Sequence, residues 1–303
     1  GVPPDAILTR SPRVLTQLDA CRWTLRGARF VLEYQYPEWA QLWRAWGGRR
    51  RATLREGVTR LREWHAAERR GVLAADGVLY AAHAYEALLR RYGFGGPAAW
   101  LPSACPEPEA GARPTAPDAL FDFGYIGTIA PENGLDGLLE AMRMCDGGRL
   151  LIQGGGAAEY VARLKAHAAE LHGRVVFEPP VDFRDVRAAM RRCRIGLVPI
   201  SRRTGGEKRQ YASPLKMVEW MAAGAAVVGS NVPSLRQHAD EGSPALLVAP
   251  DDAAALAEAM MRLMRGEEER ARIARAGLEY AHAHSFARRA ERIESFLISL
   301  IQS

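Results

Sequence analysis

The sequence predicts an α/β protein built from two parallel-sheet domains, the second complete and the first partial. Three observations carry this. From Phe121 onward, short apolar runs alternate with amphipathic stretches of helical period, the signature of strands joined by crossover helices. Before Phe121 the same alternation is sparser. Between the two lies an acidic, proline-rich stretch, Pro102 to Pro117, which reads as a linker.

In the second half, strands are expected at Phe121–Ile126, Arg149–Gln153, Val175–Glu178, Arg194–Ile200, Ala225–Ser230 and Ala245–Val248. Helices are expected at Leu135–Cys145, Ala157–Leu171, Phe183–Cys193, Pro214–Ala223 and Pro233–Ala239, then at Asp252–Arg265, Glu267–Ala283 and Phe286–Gln302. Six strands with helices between them make one complete doubly wound domain, 119–285, and the last helix, 286–303, is expected to pack back on the N-terminal domain. Residues 1–118 offer only strands at Asp5–Leu8, Arg29–Tyr34, Gly77–Ala81 and Trp100–Leu101, with a polar helix at Glu63–Ala75. That is about half a domain, and the chain opens on Gly1 in what reads as mid-domain, so an N-terminal portion is expected to be absent from this sequence.

A net charge of +6, almost all of it from arginine, favours approach to anions without choosing among sugar nucleotides, nucleic acid and an acidic membrane face. The four cysteines, Cys21, Cys105, Cys145 and Cys193, are far apart and no C-x-x-C pair occurs. This argues against a zinc site or a disulfide framework and fits a reducing cytoplasm. No metal and no cofactor is expected. No run approaches the length of a membrane span.

The chemistry concentrates around Ser213-Pro214-Leu215-Lys216-Met217-Val218-Glu219. Ser213 is a favoured N-cap and Pro214 a favoured first helical residue, so a helix is expected to start directly after the Arg194–Ile200 strand and its loop. A helix N-terminus presents unpaired N–H groups and the positive end of its dipole to a phosphate. Lys216 adds a full charge beside them. Glu219, one turn on, can accept hydrogen bonds from the two vicinal hydroxyls of a ribose. The alternative is a plain cap with a solvated Lys216–Glu219 ion pair. Glycines at two strand ends, Gly127-Thr128 and Gln153-Gly154-Gly155-Gly156, also lie where open α/β sheets bind ligands, and would let the backbone approach a phosphate or base closely. Gly154–Gly156 is not a full dinucleotide fingerprint, because Glu159 stands where its last glycine would be.

From Phe121 to Ser303 the sequence resembles the GT-B glycosyltransferases, in particular the family 4-like retaining enzymes. Ser213-Pro214-Leu215-Lys216, followed by Glu219-Trp220-Met221-Ala222-Ala223-Gly224, looks like their S-P-L-K-x-x-E-Y-M-A-x-G donor motif. The final His284-Ser285-Phe286 looks like their Ser-Trp near the last helix. The N-terminal part matches more loosely through Glu33-Tyr34-Gln35, Ala74–Val78 and Trp100-Leu101-Pro102-Ser103. The resemblance implies a GT-B fold of two Rossmann-like domains, the N-terminal one incomplete. It implies a hexosyltransferase-like enzyme that moves a sugar, with retention, from a nucleoside diphosphate-sugar donor to an acceptor in cell-surface polysaccharide biosynthesis. Lys216 and Glu219 would be the catalytic pair. The donor would rest on Gly127, Thr128, Gly154, Gly155, Val181, Lys208, Arg209, Tyr211, Ser213, Pro214 and Leu215, the base being held largely by backbone around Val175–Val181. Gln35 and His83 are the acceptor-side candidates, with a glycan, a lipid-linked sugar or a small molecule as acceptor.

The departures are specific. The first glutamate of the family's E-x7-E falls on Tyr211, and the arginine and lysine that grip the diphosphate fall on Thr128 and Asn133. Lys216, with Lys208 or Arg209, is expected to replace that charge. These departures raise a rival reading, a catalytically silent GT-B protein that binds a nucleotide-sugar or a partner subunit. An epimerase on the same fold is disfavoured for want of an acid pair in the N-terminal half. Trp39, Trp43, Trp46 and Trp64, interleaved with arginines, read as either an N-domain helix packed inward or a peripheral contact on the inner membrane face. No nucleic-acid-binding motif accompanies them. Arg187, Arg191, Arg192 and Arg194 read as a solvated helix end.

Overall fold

A computed structural model describes residues 4–25, 27–35, 37, 54–116, 119–203, 206 and 208–303. It forms two compact units. The first comprises 1–102 with 211–213 and 289–303, and the second 103–210 with 214–288. The change of unit falls at Pro102–Ser103, not at 118 where the composition shifts. Cys105 explains this: it exchanges backbone hydrogen bonds with the segment after His284, accepting from Phe286 and donating to His284, and so joins the proline-rich stretch to the second unit.

The first unit is a four-stranded parallel sheet ordered β1-β2-β3-β4, with β1 at Ala6–Thr9, β2 at Arg29–Tyr34, β3 at Gly77–Tyr80 and β4 at Ala98–Trp100. Helices α1 (Pro12–Ala20), α2 (Leu54–Leu73) and α3 (Ala84–Tyr92) accompany it. Tyr34, Tyr85 and Tyr92 anchor one core, with Leu15 and Val72. On the other core, Val31, Leu79 and Leu101 meet Ile293, Phe296, Leu297 and Leu300 of the last helix, α12 (Phe286–Gln302). α2 starts well before the expected Glu63. Of the tryptophan-bearing stretch, Trp64 lies half-buried on α2, and Trp39, Trp43 and Trp46 lie outside the described residues.

The second unit is a six-stranded parallel sheet ordered β10-β9-β8-β5-β6-β7. Its strands are β5 (Phe121–Ile126), β6 (Leu150–Gln153), β7 (Val175–Glu178), β8 (Cys193–Val198), β9 (Ala226–Ser230) and β10 (Leu246–Val248). Taken in chain order this is the dinucleotide-fold arrangement, with its topological switch point between β5 and β8. Helices α4 (Leu135–Met144), α5 (Ala158–Ala169) and α10 (Ala253–Arg265) cover one face. The other face carries α6 (Val186–Met190), α8 (Leu215–Ala222), α9 (Pro233–Asp240) and α11 (Glu267–Ala283), while α7 is the short turn Lys208–Tyr211. Among the described residues no helix is long and apolar enough to cross a membrane.

Trp220 of α8 is fully buried and lies on β5 and β8 where each strand has a glycine. A Cβ at Gly196 would stand 2.3 Å from the indole, and one at Gly124 would stand 2.6 Å from it. Burying an aromatic of this size is worth about 5 kcal/mol at ~25 cal/mol per Å².

The helix expected at Phe183–Cys193 is shorter and starts differently. Phe183–Asp185 is a 3₁₀ turn capped by the Asp182 carboxylate, α6 ends at Met190, and Cys193 already opens β8. The arginines that prolong the helical period are each taken by a partner instead of facing solvent. Arg192 forms a bidentate pair with Glu178 at 2.7 Å for both bonds, Arg191 pairs with Glu109 at 2.8 Å, and Arg194 pairs with Asp122.

At the carboxyl ends of β5 and β6 two loops are zipped together. Gly127 N–H donates to the Gln153 carbonyl and Ile129 N–H to the Gly155 carbonyl, both at 2.8 Å. Gly154 has φ +152°, and a Cβ there would sit 1.9 Å from the Gly127 carbonyl oxygen. Loop-on-loop packing by itself therefore requires a glycine here.

Two predictions follow from these contacts. Gly154→Ala will cost about 1–3 kcal/mol for the backbone conformation alone, plus the clash. Gly155→Ala, whose Cβ meets only Pro180 at 3.8 Å, will stay within about 0.5 kcal/mol. Urea midpoints of the two variants compare them directly. In the first unit, buried Glu33 accepts from Arg289 at 2.5 Å and from the more exposed Arg10 at 3.1 Å. Burial pushes the Glu33 carboxyl up, but the two arginines outweigh it and hold the pKa below its ordinary 4.5. Arg289→Ala will cost about 3–5 kcal/mol near neutrality and Arg10→Ala less than about 1. A lowered folded pKa gives stability that is present above the unfolded value and lost as pH falls through the folded one. The Arg289 penalty, read from urea midpoints, will therefore shrink below pH 4.5.

Candidate functional site

The site forms where α8 begins, beyond the carboxyl ends of β5 and β8. Pro214, with φ −73° and ψ 96°, is the N-cap of α8, and no side chain caps it. The expected Ser213 cap is corrected accordingly. Pro214 keeps an extended ψ, so the helix starts at Leu215, and the Pro214 carbonyl accepts from Met217 N–H at 3.1 Å. The N–H groups of Leu215 and Lys216, in the first turn, have no acceptor within the helix. They sit at the positive end of the helix dipole.

Lys216 lies along the Gly127 loop. Its Nζ donates to Tyr125 Oη at 2.9 Å and stands 4.5 Å from the centre of the Tyr125 ring. Gly127, at φ +139°, makes room for it, since a Cβ there would be 2.3 Å from Lys216 Cε. Tyr125 Oη in turn donates to the Thr128 carbonyl at 2.5 Å, and Asn133 Nδ2 donates to the same oxygen at 2.7 Å. Burial first, and Tyr160 second, push the Tyr125 pKa up, so its phenol keeps the proton it donates. Asn133 is buried and supports the loop, so the structure places its amide on the Thr128 carbonyl.

Glu219, one turn further along α8, is half-buried and lines a cavity of about 450 Å³ with Cys105, Phe183, Val186, Arg187 and Ala222. Burial raises the Glu219 pKa above its ordinary value of 4.5, and Lys216 and Arg187 partly offset this. Arg187 donates to the Pro106 carbonyl at 2.7 Å and the Glu107 carbonyl at 2.8 Å. Val181 packs beside this region, against the core formed by α8 and α6. Lys216 and Glu219 thus face different places: one the glycine loop, the other a mostly apolar cavity.

The remaining expected residues are more dispersed. Tyr211 is counted with the first unit, where its ring lies 5.2 Å from that of Tyr85. Ser213 is counted there too. The Lys208 side chain lies outside the described residues, and Arg209 donates to the Gly206 carbonyl at 3.4 Å. In the first unit Gln35 donates to Glu33, and His83 packs on Trp100 at 4.9 Å. No cluster of three or more potential metal ligands occurs among the described residues. Sequence reasoning missed Tyr125 and Arg187. Tyr125 sits in an apolar strand and reads as core, and Arg187 reads as one of a row of surface arginines.

Residues 121–266 match the family described as Glycosyl transferases group 1. A phosphatidyl-myo-inositol mannosyltransferase of Mycobacterium leprae (strain TN) is 33% identical over 161 residues, covering 52% of this chain and 40% of that protein. The match thus spans less than half of that relative's length. Among solved structures, sucrose-phosphate synthase from Thermosynechococcus elongatus superposes with a TM-score of 0.69 at 19% identity, covering 98% of this chain and 74% of that one. Anabaena HepE in complex with UDP gives 0.72 at 15% identity, covering 97% and 79%. The chain has the GT-B fold of two Rossmann-like units, and its segment 121–266 carries the match to the group 1 glycosyl transferases.

Proposed function

We propose that this chain is a hexosyltransferase-like enzyme that moves a sugar from a nucleoside diphosphate-sugar to an acceptor, with retention of configuration. The observation that carries the reading is Lys216, laid over the Gly127 loop beside the first turn of α8. A diphosphate there meets one full positive charge and the positive end of a helix, an arrangement that stabilises the leaving group as the glycosidic bond breaks. Glu219 takes the ribose hydroxyls at the mouth of the cavity, and the base enters the cavity beside Val181. Two features support the reading from outside the chain: the group 1 match over the second unit and the nucleotide held by the structurally similar HepE.

The rival reading, a protein that binds the donor without transferring sugar, is favoured by one observation. At Thr128 and Asn133, where related enzymes carry cations, this chain has a buried amide already committed to a backbone carbonyl. Transfer or donor hydrolysis by the protein excludes that rival, and binding without turnover supports it.

Calorimetric titration with UDP, GDP and ADP tests the site. At least one will bind, and Lys216→Ala will weaken it roughly 10- to 100-fold, the value of a charge-assisted hydrogen bond. No binding by any of the three, or an unchanged affinity in the variant, overturns the assignment. A pH series tests Glu219 separately. Its pKa is raised by burial, so the carboxylate that accepts the ribose hydroxyls is lost as pH falls through a midpoint above 4.5. Affinity will fall with it, and Glu219→Gln will flatten that dependence. The stability sign is the opposite. A raised folded pKa gives stability that is present below 4.5 and lost on ionisation, so Glu219→Gln will raise the melting temperature of the unliganded protein at neutral pH.

A further inference from the structure

The cavity at Glu219 has an unusual wall. One side is α6 and α8, but the other is the stretch 105–109, which crosses the surface of the second unit as extended chain with little regular structure of its own. A segment of that kind holds one shape only where side chains tie it down. Several ties are present. Cys105 exchanges backbone hydrogen bonds with His284 and Phe286. His282 meets Glu107 at 2.9 Å, an exposed contact. Arg191 meets Glu109 at 2.8 Å. Arg187 donates to two successive carbonyls, of Pro106 and Glu107, with one guanidinium. Cys105, Arg187 and Arg191 all line the cavity, and Arg187 is the side chain among them that holds the wall by its backbone carbonyls.

We propose that Arg187 is a positioning residue for the nucleoside end of the donor, clamping 105–109 into the cavity wall while presenting its positive charge to Glu219. This rests on the reading of Glu219 as the ribose-binding carboxylate. Arginine suits the task because its planar fork reaches two acceptors at once and cannot lose its charge. The clamp also answers an electrostatic difficulty. A carboxylate beside Val186, Met190 and Ala222 loses hydration, and the neutral form gains as a result. The groups that face Glu219 are Lys216 from its own helix, Arg187 from α6, and Cys105 from the wall, with Arg184, Arg191 and Glu109 at the cavity margin. The Cys105 thiol is pushed up to about 12 by burial and stays neutral, so it adds no competing charge. Lys216 is drawn toward Tyr125, which leaves Arg187 as the cation fixed on the cavity side.

The test compares wild type, Arg187→Met and Arg187→Lys. UDP, GDP and ADP are titrated across a pH series, and amide exchange of 105–109 is followed without nucleotide. Arg187→Met is expected to weaken the best-bound nucleotide roughly tenfold, the loss of one hydrogen-bonded charge. It is also expected to move the affinity midpoint to higher pH and to speed exchange across 105–109. Arg187→Lys keeps the charge but not the fork, so it will restore the pH midpoint and leave the exchange fast. A purely structural arginine would change exchange or melting temperature without moving the midpoint, and that result overturns the proposal. Unchanged affinity, midpoint and exchange in Arg187→Met overturns it as well. Wild type that binds none of the three nucleotides overturns the Glu219 reading instead, and the exchange data then report whether the clamp exists without it.

Discussion

The seating of Trp220 between Gly124 and Gly196 is the constraint on which the second unit's chemistry depends. Any side chain at either glycine would lift α8 off the sheet, because the indole already occupies the space of a Cβ at both positions. With the helix held at that distance and rotation, Lys216 must emerge toward the end of β5 and Glu219 toward α6. At 3.6 residues per turn, positions three apart are offset by about 60° around the axis, enough for two long side chains to diverge. One buried ring therefore sets the direction of two functional side chains, and its burial energy holds that direction against the cost of crowding a lysine over a backbone loop.

The same logic extends to the loops around the helix start. Gly127 bends away so that Lys216 can lie on it, and Gly154 bends so that Gly127 can lie on the next loop. Each glycine makes room for backbone or for an adjacent side chain, and the open space remaining for a ligand is the first turn of α8 and the cavity beside Glu219. That cavity is lined mostly by apolar surface, which costs Glu219 part of its tendency to ionise. If Glu219 meets a ligand as proposed, function and stability are opposed at this carboxylate.

Most of the sheet was legible in the sequence because parallel strands buried on both faces read as continuous apolar runs bounded by glycine and proline. What was not legible had long-range causes. Ser-Pro stands before a helix at two places, with different outcomes. Ser11-Pro12 opens α1 as the rule expects, with proline inside the first turn, whereas at Ser213-Pro214 the proline itself becomes the cap. The local signal is the same, and packing of the following helix decides. The helix after Phe183 ends early because Arg191, Arg192 and Arg194 find acceptors at Glu109, Glu178 and Asp122, all distant in sequence. Of the candidate site, the sequence placed Lys216 and Glu219 at the start of one helix, but nothing in it showed that they face different surroundings.

The departures from the family pattern acquire a physical meaning once the loop is seen as a support. The Thr128 carbonyl accepts from both the Tyr125 phenol and the Asn133 amide, and Tyr125 is the group that receives Lys216. The two positions thus contribute to charge at the loop indirectly, by fixing the phenol against which the remaining lysine rests. A single cation held in place by a buried hydrogen-bond chain loses less entropy on meeting a phosphate than two flexible ones would. Under the proposed function, a diphosphate would meet one charge of fixed direction instead of several mobile ones. On this view Asn133 belongs to the site as fully as Lys216 does, though it touches nothing but the protein.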